Sequence, residues 1–273
     1  MNGEMSANCS AAGTAFDGIA KSYDELFTRT AIGRAQRAQV WNELVSAFPE
    51  GARILELNCG TGEDARFLAQ RGRSVVACDA SVEMIRVAQN STESAAMSAA
   101  IEYLQIANED LGLLATKEPF DGAFSNFSGL NCLADLKPVA RNLAGLVRPG
   151  GRVLICLWSR ICLGEIAWFL VRGQVKKAFR RFMGKATARL GGETIAVAYP
   201  MISCVREMFE PWFRLETRRA IGLFVPPSYV ESWARRNMRA LAQLEKLDRV
   251  FADWRILRDI GDHVLLEFVR CQA

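Results

Sequence analysis

One stretch of this 273-residue chain combines bare backbone with chemically useful side chains at close spacing. Arg53-Ile54-Leu55-Glu56-Leu57 reads as a short buried strand, apolar apart from Glu56. Asn58-Cys59-Gly60-Thr61-Gly62 must then turn sharply, and Glu63-Asp64-Ala65-Arg66-Phe67-Leu68 opens a helix with acids in its first turn. A glycine turn between strand and helix lets a ligand press against main chain and aims the unpaired N–H groups of the helix at it. Asp79 closes a second apolar run, Ser74–Cys78, where a carboxylate can accept hydrogen bonds from both ribose hydroxyls of an adenosine. The spacing therefore predicts a cradle for a nucleotide-type cofactor. Gly60-Thr61-Gly62-Glu63-Asp64-Ala65 also fits the dinucleotide pattern G-x-G-x-x-G/A, which keeps NAD open at this point.

Such a cradle needs rigid elements on either side, and the chain alternates accordingly. Strand 53–57 leads to helix 63–71, and strand 74–78 to helix 82–89. A weaker strand at 101–106 follows, then strand 120–125, helix 135–147 and strand 152–158. Almost wholly apolar strands in βα repetition predict a parallel sheet covered on both faces, with ligands outside the carboxyl ends of the strands. Apolar residues at helical spacing in 16–27 and 31–47 predict helices ahead of the sheet, while 1–14 is small, polar and expected to be disordered. After Trp158 the rhythm breaks. Residues 161–185 read as one or two amphipathic helices with interleaved cations, 194–199 as an extended excursion, 214–221 and 263–269 as strands, and Ser228–Arg249 as a helix. The expected organisation is N-terminal lid helices (1–50), a cofactor-binding core (51–159), an inserted cap (160–200) and a C-terminal completion of the sheet (201–273).

Composition narrows the class. Half the residues are apolar and 23% charged, ordinary for a globular enzyme, and a formal net charge of +4 is too small to argue for a nucleic-acid partner. The eight cysteines form no CxxC pair and have no histidine cluster beside them, so no metal site is expected and the thiols suit a reducing cytosol. With no signal peptide visible and no apolar run near the ~20 residues of a membrane span, the expectation is a cytoplasmic protein, monomer or homodimer.

Taken together, Glu56-Leu57-Asn58-Cys59-Gly60-Thr61-Gly62, Asp79-Ala80-Ser81 with Met84, Phe120-Asp121-Gly122-Ala123 and Arg148-Pro149-Gly150-Gly151 resemble the class I S-adenosylmethionine-dependent methyltransferases. Within that class they are most similar to small-molecule enzymes of quinone and natural-product biosynthesis. The resemblance covers 16–27 and 50–158, and the last third in outline. It implies an α/β fold, a Rossmann-like three-layer sandwich around a seven-stranded, mostly parallel sheet of order 3-2-1-4-5-7-6. Strand 7 would be antiparallel, at His263–Val269. It also implies roles in binding S-adenosylmethionine. Asn58, Cys59 and Gly60 would line its methionine and ribose, Asp79 would hold the ribose hydroxyls, and Ala80 and Met84 would pack on adenine. Asn108 and Glu109 would lie near the adenine amino edge, Asn126 and Phe127 near the sulfonium, and Tyr23 in a lid over the methionine carboxylate. Glu56 either contacts the cofactor or caps nearby backbone donors. Two positions depart from the family pattern: Asn58 stands where the first glycine is usual, and Ala107 where many relatives place an acid.

For the acceptor, Asn131, Trp158, Arg160 and Tyr199 are candidate wall residues, and no catalytic base stands out. The single histidine, His263, lies in an apolar strand and reads as structural, which disfavours histidine-assisted O-methylation and points to a small-molecule N- or C-methyl acceptor. The basic run 172–185 is a solvated helix face, a lure for an acidic substrate, or a peripheral membrane contact that would suit a lipid or quinone acceptor. An NAD-dependent oxidoreductase and a cofactor-binding module without turnover are the competing classes.

Overall fold

The computed structural model describes residues 11–92, 95–114 and 118–272. Residues 1–10, on which most of the expected disorder falls, lie outside the described residues, whereas 11–14 belong to a helix, Ala11–Asp17. Apolar runs form the strands β1 (Arg53–Leu57), β2 (Ser74–Asp79), β3 (Ile101–Gln105), β4 (Phe120–Ser125) and β5 (Val147–Trp158). Further along come β6 (Lys185–Leu190), β7 (Glu193–Ala198), β8 (Phe213–Ile221) and β9 (His263–Arg270). Seven of these make one sheet in the order β3-β2-β1-β4-β5-β9-β8, with β9 antiparallel to both its neighbours. Counting only the strands of that sheet, this is the order expected from the sequence; β6 and β7 pair separately as a hairpin.

The pleat of β1 shows why the sheet is covered twice. Leu55 and Leu57 enter one core together with Val139 and Leu143 of helix Lys137–Leu146. Ile54 enters the other, with Leu44 of helix Ala31–Ala47 and Leu68 of helix Glu63–Ala69. Parallel strands buried on both faces leave only their carboxyl ends free for ligands, and the loops there are those singled out by the sequence.

The structure differs from expectation where long-range packing overrides local periodicity. The 16–27 helix is broken into Ala11–Asp17, Ala20–Tyr23 and a wide turn at Asp24–Thr28. The C-terminal helix stops and restarts at Asn237, giving Glu231–Arg236 and Met238–Phe251. Helix Ile202–Phe209, unanticipated, packs Val205 and Phe209 under the sheet edge. Residues 163–183 form a nine-residue helix, Leu163–Val171, followed by two short turns and the β6–β7 hairpin. Gly191, at the hairpin tip, abuts Gly18: a Cβ on Gly18 would come within 2.8 Å of the Gly191 Cα. The two segments before and after the core therefore meet over its ligand end. Among the described residues no helix is long and apolar enough to cross a membrane.

Candidate active site

The loop after β1 is bent by three residues with positive φ: Asn58 (56°), Gly60 (54°) and Gly62 (74°). Asparagine tolerates this region better than any other branched or long side chain, so the departure from glycine at position 58 costs little. Its side chain takes a defined place, accepting from Ser125 Oγ at 3.0 Å and lying so close to Gly129 that a Cβ there would come within 2.4 Å of it. At Gly62 a Cβ would strike the Tyr103 hydroxyl at 2.6 Å, so this glycine lets the helix seat on the sheet. At Gly60 a Cβ would meet nothing within 4 Å: the backbone there borders open space of the kind a ligand fills.

Asp79 faces that space from the end of β2. Its carboxylate accepts from the Gly60 N–H at 2.8 Å and the Ser81 N–H at 2.9 Å. A carboxylate offers about four lone-pair directions, so capacity remains for ligand hydroxyls. Burial raises the Asp79 pKa, with the N–H donors of Ser81 and Gly60 pulling against it. A cleft of about 240 Å³ opens over the loop. It is lined by Asn58, Gly60, Asp79, Ala80 and Met84 together with Asn108, Glu109, Asn126, Phe127 and Tyr23. The turn at Asn108–Leu113 puts Asn108 and Glu109 there although Ala107 carries no acid. Burial pushes the Tyr23 phenol up to about 12, so it stays protonated.

Two residues of the expected cofactor set sit elsewhere. Glu56 is 1% exposed beneath the loop, with Oε2 accepting no hydrogen bond, and Cys59 is turned inward. Burial, with Asp64 nearby, raises the Glu56 carboxyl well above its ordinary value. Because the folded state then holds a proton that the unfolded chain releases, this group makes stability fall as pH rises above about 4.3. Glu56→Gln is expected to leave the thermal midpoint at pH 8 equal or about 2–4 °C higher, the gap closing toward pH 4. A drop of several degrees at pH 8 would mean an ionised, paired Glu56.

The sequence did not single out the group that positions Asn126 and Phe127. Asp64 accepts from Trp41 Nε1 at 2.6 Å and Asn126 Nδ2 at 2.9 Å, and pairs with Arg37 Nη1 at 2.6 Å. Arg37 in turn lies 4.8 Å over the Phe127 ring. Thr61 Oγ1 donates to Asp24 at 2.6 Å and Ser81 Oγ to Asp17 at 2.5 Å, tying the N-terminal helices to the cofactor loops.

A second cavity, of about 260 Å³, shares Phe16, Tyr23, Phe127 and Cys132 with the first. Leu26, Leu190, Ile195 and Val197 make its apolar wall, and Trp158, Ser228, Asp262 and His263 its more polar side. Of the four candidate wall residues, Trp158 lines this cavity and the other three do not. Asn131 is 1% exposed and braces backbone, donating to Ala198 O at 2.6 Å and accepting from the Trp158 N–H at 3.1 Å. Arg160 lies outside both cavities because its guanidinium donates to Phe182 O at 2.9 Å. Tyr199 packs 5.9 Å from Trp158 and with it lines a neighbouring cavity of about 210 Å³. His263, read as structural, is buried but forms part of the cavity wall, with Nδ1 accepting no hydrogen bond and its ring against Phe127 and Trp158. Burial pushes its pKa down to about 4, so the ring is neutral at pH 7. Asp262 beside it is held below the usual range despite its burial; with the imidazole uncharged, Arg181 is the partner that counts.

A methyltransferase-domain family matches residues 54–151, which span the cofactor loop, Asp79 and the start of β5. Residues 54–151 form a methyltransferase domain. The chain is 30% identical over 149 residues to demethylmenaquinone methyltransferase of Thermobifida fusca, covering 54% of this chain and 60% of the relative. It is 29% identical over 148 residues to tRNA 5-carboxymethoxyuridine methyltransferase of Escherichia coli, covering 53% and 56%. Across its first relatives the matched region spans 56 to 66% of their length. In fold it is similar to the N-methyltransferase NodS of Bradyrhizobium japonicum bound to S-adenosylhomocysteine, with a TM-score of 0.59 at 14% identity over 96% of this chain and 100% of that one. The cofactor expected from the sequence, S-adenosylmethionine, is the one used by the methyltransferases that share this fold. The open backbone at Gly60 and the spare acceptors of Asp79 fit its adenosine end.

Proposed function

We propose that the protein transfers a methyl group from S-adenosylmethionine to carbon or nitrogen of a small, largely apolar acceptor held in the second cavity. The observation that carries this reading is the shared wall: the cofactor cleft and the apolar cavity meet at Tyr23 and Phe127. When bound, S-adenosylmethionine supplies a methyl already activated by its sulfonium. The chain's own part is to align and to dry. Asp79 and the Gly60 backbone hold one end, Asp64 orients Asn126, and the lid residues Phe16, Tyr23 and Phe27 exclude water. Alignment of this kind accounts for about 7–11 kcal/mol of barrier reduction in well-oriented systems.

His263 shapes the acceptor class. Its imidazole is neutral and its Nδ1 is buried 3.6 Å from Asp262 Oδ2, so it meets the acceptor as part of a polar side made with Ser228 and Asp262 rather than through that nitrogen. With a pKa pushed to about 4, it is too weak a base to ionise an aliphatic alcohol, which favours acceptors nucleophilic at carbon or nitrogen. A quinone-type or heteroaromatic ring fits both the apolar wall and this single polar edge, in line with the relative that methylates demethylmenaquinone. We place the protein in the cytosol, where its seven free cysteines among the described residues stay reduced.

Incubation with S-adenosylmethionine and fractionated extract, read by mass spectrometry for S-adenosylhomocysteine and a methylated product, tests the assignment; cofactor binding with no product from any fraction would sink it. A product carrying the methyl on an aliphatic oxygen would refute the choice of atom. His263→Asn is expected to cut turnover about tenfold, as loss of one neutral positioning contact would, with cofactor affinity unchanged. Since a depressed histidine pKa withdraws stability as pH falls from about 6.5 to about 4, the variant should also flatten the pH dependence of unfolding in that window. Unaltered turnover would remove His263 from the site.

A further inference from the structure

We propose that helix Leu163–Val171 and the turns that follow it form a docking surface for an anionic lipid bilayer. Val171 is 86% exposed, Met183 78% and Val175 55%, and Phe179 and Phe182 stand beside them more than 40% exposed. Side chains of this size at such exposure form an interaction patch when they are contiguous and rimmed by charge. The rim is of one sign. Between Glu165 and Glu193 the chain has no acid. Of its cations, Arg180 and Arg181 are both taken up by Glu165, which is 1% exposed, Arg181 from a buried position and Arg180 from the surface, and Arg181 also holds Asp262. Besides Arg189 on β6, that leaves Arg172, Lys176, Lys177 and Lys185 facing water, none paired with an acid among the described residues.

Charge selects the occupant. In a two-fold dimer the patch would meet itself and set these four cations against their copies. A nucleic acid would satisfy the cations but leave Val171, Phe182 and Met183 in water. An anionic bilayer takes both, the apolar side chains entering the headgroup boundary and the cations meeting lipid phosphates. The surface also adjoins the acceptor side of the molecule. Tyr229 packs 5.4 Å from Phe169 and 6.1 Å from Trp168 of this helix, and its neighbour Ser228 lines the second cavity. An apolar acceptor dissolved in the bilayer thus has a short route to the pocket, although the docking itself does not rest on the proposed reaction.

The test is co-sedimentation of the full chain with phosphatidylglycerol–phosphatidylcholine vesicles against phosphatidylcholine vesicles alone. Binding is expected to the anionic vesicles only and to weaken with salt. Lys176→Glu/Lys177→Glu should lower vesicle affinity about 30-fold or more, at about fivefold per charge, and Val171→Asp/Met183→Asp should abolish it. All four positions are exposed, so the thermal midpoint and S-adenosylmethionine affinity should stay at the parent value, which separates this outcome from failure of the cofactor site. No binding to anionic vesicles, binding unchanged in both variants, or a dimer in solution that Val171→Asp/Met183→Asp converts to monomer would each overturn the proposal.

Discussion

Asp79→Ala is expected to weaken S-adenosylmethionine binding roughly 10²–10³-fold by calorimetry, the largest single effect in the cofactor site. The carboxylate holds the Gly60 and Ser81 N–H groups and keeps capacity for the ribose hydroxyls. Hydrogen bonds to a charged group contribute about 1.5–3 kcal/mol each, so two of them come to about 3–6 kcal/mol, the lower part of which gives that range. Asp79→Asn keeps one oxygen for the Gly60 N–H and should fall between. The raised Asp79 pKa fixes the pH behaviour: protonation removes acceptor sites, so affinity should decline on acidification at a higher pH than an ordinary aspartate, near 3.9, would set. Unchanged affinity in the alanine variant would show that the ribose is held elsewhere.

Arg181→Ala is expected to destabilise the protein by about 3–5 kcal/mol, read as a loss on the order of 10 °C in thermal midpoint. Arg181 is 5% exposed and bridges two acids that are nearly as buried. It donates to Glu165 Oε2 at 2.7 Å, Asp262 Oδ1 at 2.7 Å and Asp262 O at 2.7 Å. Removing it strands Asp262 without a cation and leaves Glu165 with Arg180 alone, which is the costly way to break a buried pair. Because Asp262 lines the second cavity beside His263, the same change should raise its pKa and disturb His263. A loss below ~1 kcal/mol would mean that water replaces the guanidinium and that the cap does not depend on this bridge.

The cofactor loop was legible because its constraints are local. Asn58, Gly60 and Gly62 must bend the backbone whatever surrounds them, Asp79 ends an apolar strand, and covalent continuity puts the loop and that aspartate side by side once β1 pairs with β2. Arg160 and Asn131 show the limit of the same reasoning. Both lie next to site segments in the chain, yet one is drawn out by Phe182 O and the other is taken up by the backbone of Ala198 and Trp158.

The amino-acid order by itself determined the alternation of strands and helices, the sheet it builds, the glycine turn and the carboxylate that faces it. Each depends on periodicity or backbone freedom within a few residues. The tertiary structure alone decided that Arg37 and Asp64 steady Asn126, that His263 borders a cavity, and that Arg180 and Arg181 pair with the buried Glu165 while the neighbouring cations stay in water. Those outcomes turn on which distant charge a buried group finds, because a buried ion must be paired, and pairing between remote segments leaves no periodic trace along the chain.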